Sequence, residues 1–258
     1  YPLKMKTVVI SRLFYTLILF YSLPIKTAAQ NISGVINSYH RVSAINTGTN
    51  SLTLNTAAGL SVGSRILLIQ MKGANINTDN STSFGDISAL NNAGNYEFNH
   101  ICGIAGNDVL LARPLLRSYT VSGSVQLVSI PFYNVATVTG TLTASPWNAA
   151  SGTGGVLVFE ADTVLLNNNI DVSGMGFTGG ILLNYPRPPY DCSVFAPVND
   201  YFLPLMPPIF TTPYQLSNAA PKGEGIAAFM TNAEYARGKQ ANGGGGANNL
   251  DAAAVRFL

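Results

Sequence analysis

Three carboxylates are the residues of this 258-residue chain most suited to catalysis. Glu160 and Asp162 are two positions apart, so on an extended strand they project from the same face. Asp171 is expected one rung away in the parallel β-helix predicted below. Such acidic clusters act as acid and base, or hold a metal, when secreted β-helices cleave polysaccharides. The alternative is that Glu160 and Asp162 are solvated turn residues, since the sequence places little Arg or Lys near them.

A calcium loop is the second chemical candidate. Oxygen-bearing side chains recur at the spacing of a twelve-residue loop: Asn75, Asn77, Asp79, Ser81, Ser83 and Asp86. Carboxylate, amide and hydroxyl oxygens suit a hard cation. Asn80 stands where such loops carry glycine, and only two members are carboxylates, so we expect weak binding or, alternatively, a simple polar hairpin. No other cofactor is predicted.

Other reactive groups are few. The sequence has no Gly-x-Ser-x-Gly motif, no phosphate loop and no dinucleotide fingerprint, and it has only two histidines, His40 and His100. Cys102 and Cys192 allow a disulfide if the chain is exported, and two separate thiols are the alternative. The sequence therefore predicts a non-catalytic protein.

The first residues predict export. A basic start at Met5 and Lys6 precedes a largely apolar stretch (residues 8–25), and small residues place signal cleavage between Ala29 and Gln30. No stop-transfer pattern follows, so we expect no transmembrane segment after cleavage; an uncleaved membrane helix is the alternative. The predicted location is secreted or cell-surface, reached through the periplasm.

The charge of the exported part argues against nucleic-acid binding. Residues 1–29 hold four of the 14 Lys and Arg residues and none of the 12 Asp and Glu residues. Ten basic residues against twelve acidic ones leave a net charge of −2, which provides no attraction for a phosphate backbone. Low charge together with many β-branched residues favours an all-β protein.

Residues 30–135 are expected to form a small β-barrel or sandwich, because short strand patterns alternate with glycine-marked turns. Ile66 to Ile69 form a continuous apolar run, which predicts a central strand covered on both faces. The strand candidates are Val35-Ile36 and residues 51–54, 65–71, 95–101, 109–112 and 124–130.

Residues 136–249 are expected to form parallel β-helix-like coils, with a pair of hairpins as the alternative. The predicted rungs are residues 156–159, 163–166 and 170–172, joined by Gly- and Asn-rich corners. Residues 181–221 hold most of the prolines and predict an extended insertion. Residues 250–258 are predicted to be a frame-shifted tail, since a one-base slip in glycine codons would write the Ala-Ala-Ala-Val of 252–255.

The aromatic residues of the insertion suggest a glycan-binding surface, with Tyr201 and Phe202 as predicted contacts. The alternative is a long loop whose aromatic side chains pack against the sheet.

Several phrases in order also carry a family resemblance: VGSRILLIQMKGA (62–74), AGNYEFNHICGIAGNDVLL (93–111), GSVQLVSIPFYNVATV (123–138), LTASPW (142–147), GGVLVFEADTVLLNNNIDVSGMGFTGG (154–180), KGEGIA (222–227) and ANGGGG (241–246). The series resembles the N-terminal region of large cell-surface proteins of gliding, Bacteroidota-type bacteria. Those proteins carry a gliding-motility-associated C-terminal domain and use type IX secretion.

The resemblance implies an adhesin-like or structural surface protein of which this chain is a fragment. It implies surface glycans or other cell-surface proteins as partners and supplies no catalytic residues. Two alternatives remain open at this point: a secreted β-helix enzyme acting on polysaccharides (a lyase or glycoside hydrolase), and a carbohydrate-binding module.

Overall fold

The computed structural model describes residues 29–79, 81, 83, 85–180, 182–185, 223–227 and 247–250. Over these residues the chain is all-β, which confirms the predicted fold class. No helix among them is long and apolar enough to cross a membrane. The leader and the tail from residue 251 lie outside the described residues.

Thirteen strands are described, with one short 3-10 turn at Val121–Gly123. In chain order they are β1 (Gln30–Val35), β2 (Tyr39–Asn46), β3 (Ser51–Leu54), β4 (Arg65–Gln70), β5 (Asn75–Ile76), β6 (Ile87–Ala89), β7 (Tyr96–Ala105), β8 (Asp108–Leu111), β9 (Val125–Ile130), β10 (Phe132–Thr143), β11 (Glu160–Leu166), β12 (Leu182–Tyr185) and β13 (Ala247–Leu250).

Six strands close into a barrel in the order β2-β3-β8-β7-β4-β9, and every neighbouring pair is antiparallel. Closure leaves no unpaired strand edge in this unit. Of the two forms predicted for this region, a barrel or a sandwich, the structure has the barrel. Strand β2 and the short β5–β6 pair were not predicted from the sequence.

The barrel core follows from the two-residue period of its strands. Ile66 and Leu68 point inward and are fully buried, while Leu67 points outward and is 6% exposed. Leu67 packs with Val128 and Ile130 on the outer wall, so β4 is covered on both faces as predicted. The inner cluster comprises Val42, Leu52, Leu54, Ala57, Ile66, Leu68, Ile101, Val109, Leu111, Val125 and Leu127.

A second unit, here called the parallel stack, consists of β1, β10 and β11 with β10 in the middle. Gln30 pairs with Ala136 and Phe132 pairs with Glu160, both in parallel. Because β1 precedes the barrel and β10 follows it, the barrel is inserted into the stack. The predicted boundary near residue 135 therefore falls inside β10, and residues 30–35 lie with the second unit.

The predicted rungs differ from the observed ones. Thr137 pairs with Leu165 and Leu142 with Ile170, so residues 163–166 and 170 lie on one line beside β10. The Asn-rich turn between them does not start a new rung, since backbone bonds to β10 continue through Asn167 and Asn169. The prediction that residues 163–166 and 170–172 form successive rungs was therefore wrong.

Residues 156–159, the first predicted rung, join the barrel to the stack without forming a strand. Val156 and Val158 pack on the outer barrel wall, whereas Leu157 and Phe159 pack in the stack core. Side chains of the β1–β2 region replace the missing strand ladder. The Tyr39 hydroxyl donates to the Val156 carbonyl (2.6 Å), and the Asn37 amide exchanges two bonds with Val158 (2.5 and 3.2 Å).

The stack ends on an open apolar row along β11. Val164, Leu166 and Ile170 lie beside the buried Ala136, Val138 and Leu142 of β10.

Their exposed fractions are 41%, 64% and 44%, so none of the residues that the structure describes covers the inward face of the stack at this end. We call Val164, Leu166, Ile170 and the 46% exposed Val172 the open row.

Candidate functional site

A groove opens where the barrel meets the parallel stack, and we call it the junction groove. Arg65 of β4 lies between His100 of β7 and Ile130 of β9, while Glu160 of β11 lies beside Phe132 of β10. The groove has a volume of about 570 Å³. Its lining residues are Gly63, Ser64, Arg65, His100, Ser129, Ile130, Pro131, Phe132 and Glu160.

An ion pair between Arg65 and Glu160 crosses the groove and links the two units. Their side chains are 36% and 43% exposed, so solvent screens the attraction. The Arg65 guanidinium also lies over the Phe98 ring, 5.5 Å from its centroid, and its buried Nε has no acceptor among the described residues. The pair therefore keeps unused hydrogen-bonding capacity.

Aromatic side chains flank this pair. Tyr96, Phe98, His100 and Cys102 alternate along the outer face of β7, and all four are exposed. The rings of Tyr96 and Phe98 meet edge to face at 6.2 Å. Phe132, at the other side of the groove, is 55% exposed. The site thus combines exposed ring faces with a neutralised pair of charges.

The structure does not gather the three predicted catalytic carboxylates. Glu160 lies in the junction groove, and Asp162 is exposed on the same strand. Asp171 follows Ile170 on the line of β11, roughly 30 Å from Asp162 at 3.3 Å per residue. It is not one rung away, because the intervening turn continues the same strand line.

Asp171 instead caps its own turn. Its carboxylate accepts hydrogen bonds from the side chain and the backbone N–H of Ser173, the latter at 2.8 Å, and these bonds hold the pKa of Asp171 below its ordinary value. The predicted lack of cations near Glu160 was also wrong, because Arg65 reaches it from the barrel.

The calcium candidate forms a closed polar hairpin. The Asn77 N–H donates to the Asp86 carbonyl, and the Gly85 N–H donates to the Asn77 carbonyl, both at 2.8 Å. The Asn77 side-chain oxygen accepts the Asp79 N–H (2.8 Å), so it is already engaged. Asn75 is exposed in β5. No group of three His, Cys, Asp or Glu residues that could hold a metal occurs among the described residues.

The remaining predicted sites are placed only in part. Cys102 is exposed, and its predicted disulfide partner Cys192 lies outside the described residues. The predicted glycan contacts Tyr201 and Phe202 also lie outside them. At the predicted signal cleavage point, Ala29 and Gln30 are exposed at the start of β1.

His40 is a buried structural histidine. It is 3% exposed; its Nδ1 lies 2.7 Å from the Thr56 carbonyl, and its Nε2 lies 3.0 Å from the Ser38 hydroxyl. Burial lowers its pKa, and the contact with the Thr56 carbonyl opposes that shift. A neutral ring with the proton on Nδ1 satisfies both contacts.

A second polar cluster, here called the clamp, fastens residues 223–227 to the barrel. Glu224 accepts hydrogen bonds from Lys72 Nζ (2.5 Å), from the Trp147 indole (3.0 Å) and from the Thr178 N–H (3.1 Å). Lys72 also lies over the rings of Trp147 and Phe177, at 5.7 and 5.2 Å. The carboxylate therefore joins three separate parts of the chain.

The clamp is more buried than the groove pair, since the side chains of Lys72 and Glu224 are only 13% and 12% exposed. Burial alone raises the pKa of Glu224, but hydrogen bonds from Lys72 and Thr178 and the Lys72 charge outweigh it, so the pKa is lowered. A β-carbon on Gly223 would lie 2.7 Å from the Gly180 nitrogen, so the chain returns after the predicted insertion to the place where it left.

Known proteins offer a distant comparison. No family model and no curated protein matches the chain. The Gp54 tailspike of Acinetobacter baumannii bacteriophage AP22, solved with A. baumannii capsular saccharide, is 12% identical with a TM-score of 0.28 and covers 42% of this chain and 17% of its own. The tailspike gp61 of Pseudomonas phage phi297 is 12% identical with a TM-score of 0.27, covering 60% and 24% respectively.

A third tailspike, gp49 of Pseudomonas phage LKA1, is 14% identical with a TM-score of 0.25, covering 62% of this chain and 24% of its own. The chain thus spans no more than 24% of the length of these tailspikes. Such a distant likeness carries no argument about binding or catalysis.

Sequence reasoning missed the partners in both clusters. Arg65 and Glu160 are far apart in the chain, as are Lys72 and Glu224, and neither pair forms a motif. A usable signal existed for the clamp, because Glu224 lies in a Lys-Gly-Glu-Gly segment whose glycines allow close backbone approach. No comparable signal marked Arg65.

Proposed function

We propose that this chain is a non-catalytic, adhesin-like or structural module at the N-terminal side of a secreted cell-surface protein. The observation that carries the proposal is the insertion of a closed barrel into a parallel stack whose far end is open. A closed barrel protects its own edges, and a parallel stack can lengthen by adding rungs. Together they suit the starting unit of an extended surface structure.

The open row supports continuation of the stack. Val164, Leu166 and Ile170 sit on the face that is buried one strand earlier, so a further parallel strand would remove them from water. Burying such side chains is worth about 25 cal/mol per Å² of apolar surface. Growth of the stack in the parent protein would therefore be favourable.

The links between the two units support a mechanical role. The Arg65–Glu160 pair and the two-faced segment 156–159 join barrel and stack at separate places, and the clamp holds residues 223–227 to the barrel. Force applied along the chain would therefore meet several contacts before the units separate. The resemblance to surface proteins of gliding bacteria agrees with this role and extends the proposal to type IX export through the periplasm.

Location and absence of catalysis can be tested together. Trypsin treatment of intact producing cells is expected to remove the chain from the cells, with the peptide covering residues 73–117 identifying it in the released material after denaturation and complete digestion. The full chain is expected to generate no new reducing ends or unsaturated uronates from polysaccharides. Detection of that peptide only in the cytosolic fraction would overturn the proposed location.

A polysaccharide-acting enzyme is the second candidate, favoured by the position of Glu160 in an open groove. An enzyme of this kind would degrade a polysaccharide, and the Glu160→Gln variant would lose that activity. That result would overturn the non-catalytic role. Asp162→Asn is the matched control, since Asp162 is exposed on the same strand and does not line the groove.

A further inference from the structure

We propose that the junction groove binds a neutral hexopyranose glycan, with the ring of Phe132 in the groove against the sugar and Arg65 and Glu160 on its hydroxyls. The Phe98 ring, which lies against Arg65 outside the groove lining, would extend the contact. The proposal rests on the surface-protein function above and names its ligand class and contact site. It places the glycan site on the barrel–stack junction, not on Tyr201 and Phe202 of the insertion.

The exposed rings supply the first part of the argument. Phe98 is 49% exposed and Phe132 is 55% exposed, so both side chains are accessible to a ligand. A pyranose has apolar C–H faces, and rings with one free face offer them a flat, rigid contact. Tyr96 extends the same outer strip of β7.

The charge pattern selects a neutral ligand. Arg65 and Glu160 neutralise one another across the groove, so an anionic sugar would have to compete with Glu160 for the guanidinium. Sugar hydroxyls both donate and accept, and they can therefore use the carboxylate and the guanidinium together without separating them. Ser64, Ser129 and His100 add further polar groups to the lining.

The hydrogen-bond inventory points the same way. Arg65 carries five N–H donors, its Nε has no acceptor among the described residues, and only one Glu160 oxygen accepts from the guanidinium. A site built only for stability would be expected to satisfy a buried donor.

The test is affinity electrophoresis of the full chain through gels containing neutral polysaccharides (dextran, galactomannan, β-glucan) or acidic ones (alginate, polygalacturonate). We expect retardation by at least one neutral polymer. Phe132→Ala should weaken the apparent affinity about tenfold, and Arg65→Gln by a similar factor. Leu116→Ala, at a position 91% exposed outside the groove lining, is the control and should bind like the parent chain.

Phe132→Ala removes an exposed ring and is expected to fold, which circular dichroism would check. Retardation by acidic polymers alone, or unchanged retardation of Phe132→Ala, would overturn the proposal. Suppose that a Tyr201→Ala/Phe202→Ala variant loses glycan binding and Phe132→Ala keeps it. That result would also overturn the groove as the glycan site, but it would agree with an adhesive function. If no polysaccharide retards the chain, the proposed glycan site is overturned. The structural role at the cell surface is tested separately, by the trypsin treatment of intact cells.

Discussion

The barrel and the parallel stack solve the same problem, the burial of a β-sheet, in opposite ways. The barrel closes on itself around eleven fully or nearly buried residues, and hairpins such as β2–β3 and β7–β8 join strands close in sequence. The buried apolar cluster of the stack has only four residues among those described, and its strands are far apart in sequence, since Gln30 pairs with Ala136. The barrel is thus self-contained, while the stack depends on the wall of its neighbour.

The proposed function would give the two units separate roles. The closed barrel carries one side of the junction groove on its outer face. Among the described residues, nothing covers the apolar side chains of β11 that continue the buried face of β10. In the proposed function, the barrel would be an anchor and the stack the place where further rungs are added.

The largest expected effect is on stability, and it compares one leucine of the barrel with one leucine of the stack. Leu68 is fully buried in the barrel and Leu166 is 64% exposed on the open row. Leu68→Ala should lower the free energy of unfolding by about 3 kcal/mol, because it leaves a cavity, whereas Leu166→Ala should change it by less than about 0.5 kcal/mol. Urea denaturation measures both, and equal losses would mean that the row is covered.

The next effect compares the two ion pairs of the molecule's described part, the one that joins barrel and stack and the one that holds residues 223–227 to the barrel. Glu224→Gln should cost about 2 kcal/mol, because it leaves Lys72 largely buried without its counter-charge, whereas Glu160→Gln should cost under about 1 kcal/mol at the more exposed pair. Since the Gly73 and Ala74 amides donate to the Ile226 carbonyl, hydrogen exchange there should accelerate only in Glu224→Gln. Unchanged exchange would show that the clamp does not hold residues 223–227.

A smaller effect tests a buried amide that joins the barrel to the segment between β10 and β11. Gln126 is fully buried in β9 and exchanges two hydrogen bonds with the backbone of Gly154, at 3.0 and 2.9 Å. Gln126→Leu keeps the approximate volume but leaves a buried N–H and C=O unpaired, so we expect a loss of roughly 1.5 kcal/mol in thermal or urea denaturation. Gln126→Glu retains an acceptor for the N–H only, and its stability should depend more strongly on pH.

The smallest expected effect is a pH dependence from His40. Burial lowers its pKa in the folded state, so the unfolded chain binds more protons as pH falls through about 6.5, the ordinary value. This contribution to stability is complete above that pH and declines below it. Urea midpoints on either side of pH 6.5 should show the decline in the parent chain and less of it in His40→Asn, and equal slopes would exclude His40 as the cause.

The sequence predicted the barrel well because its signals are local. The predicted strand at residues 51–54 has the same bounds as β3, and the run from Ile66 to Ile69 was correctly expected to be covered on both faces. Glycine-marked turns and two-residue alternation are properties of neighbouring residues. Strand β2 was missed because its burial pattern is broken by the polar, buried His40.

The stack and both clusters could not be predicted in the same way. The partner of β1 lies beyond the whole barrel, and the turn at Asn167 to Asn169 imitates a corner between rungs although the strand line continues. Arg65 reaches Glu160 only because β4 and β11 meet at the junction. These relations follow from topology and have no counterpart in local spacing.

Insertion of the barrel between β1 and β10 is the central claim, and a cysteine cross-link tests it most directly. Val35 and Thr143 are paired neighbours in the parallel stack, and adjacent strands lie about 4.8 Å apart, within disulfide range. In a background of Cys102→Ser and Cys192→Ser, Val35→Cys with Thr143→Cys should oxidise to a loop that migrates faster on a non-reducing gel. Val35→Cys with Thr139→Cys, displaced by roughly 13 Å along β10, should not. Absence of the first cross-link, or equal formation of both, would contradict the account.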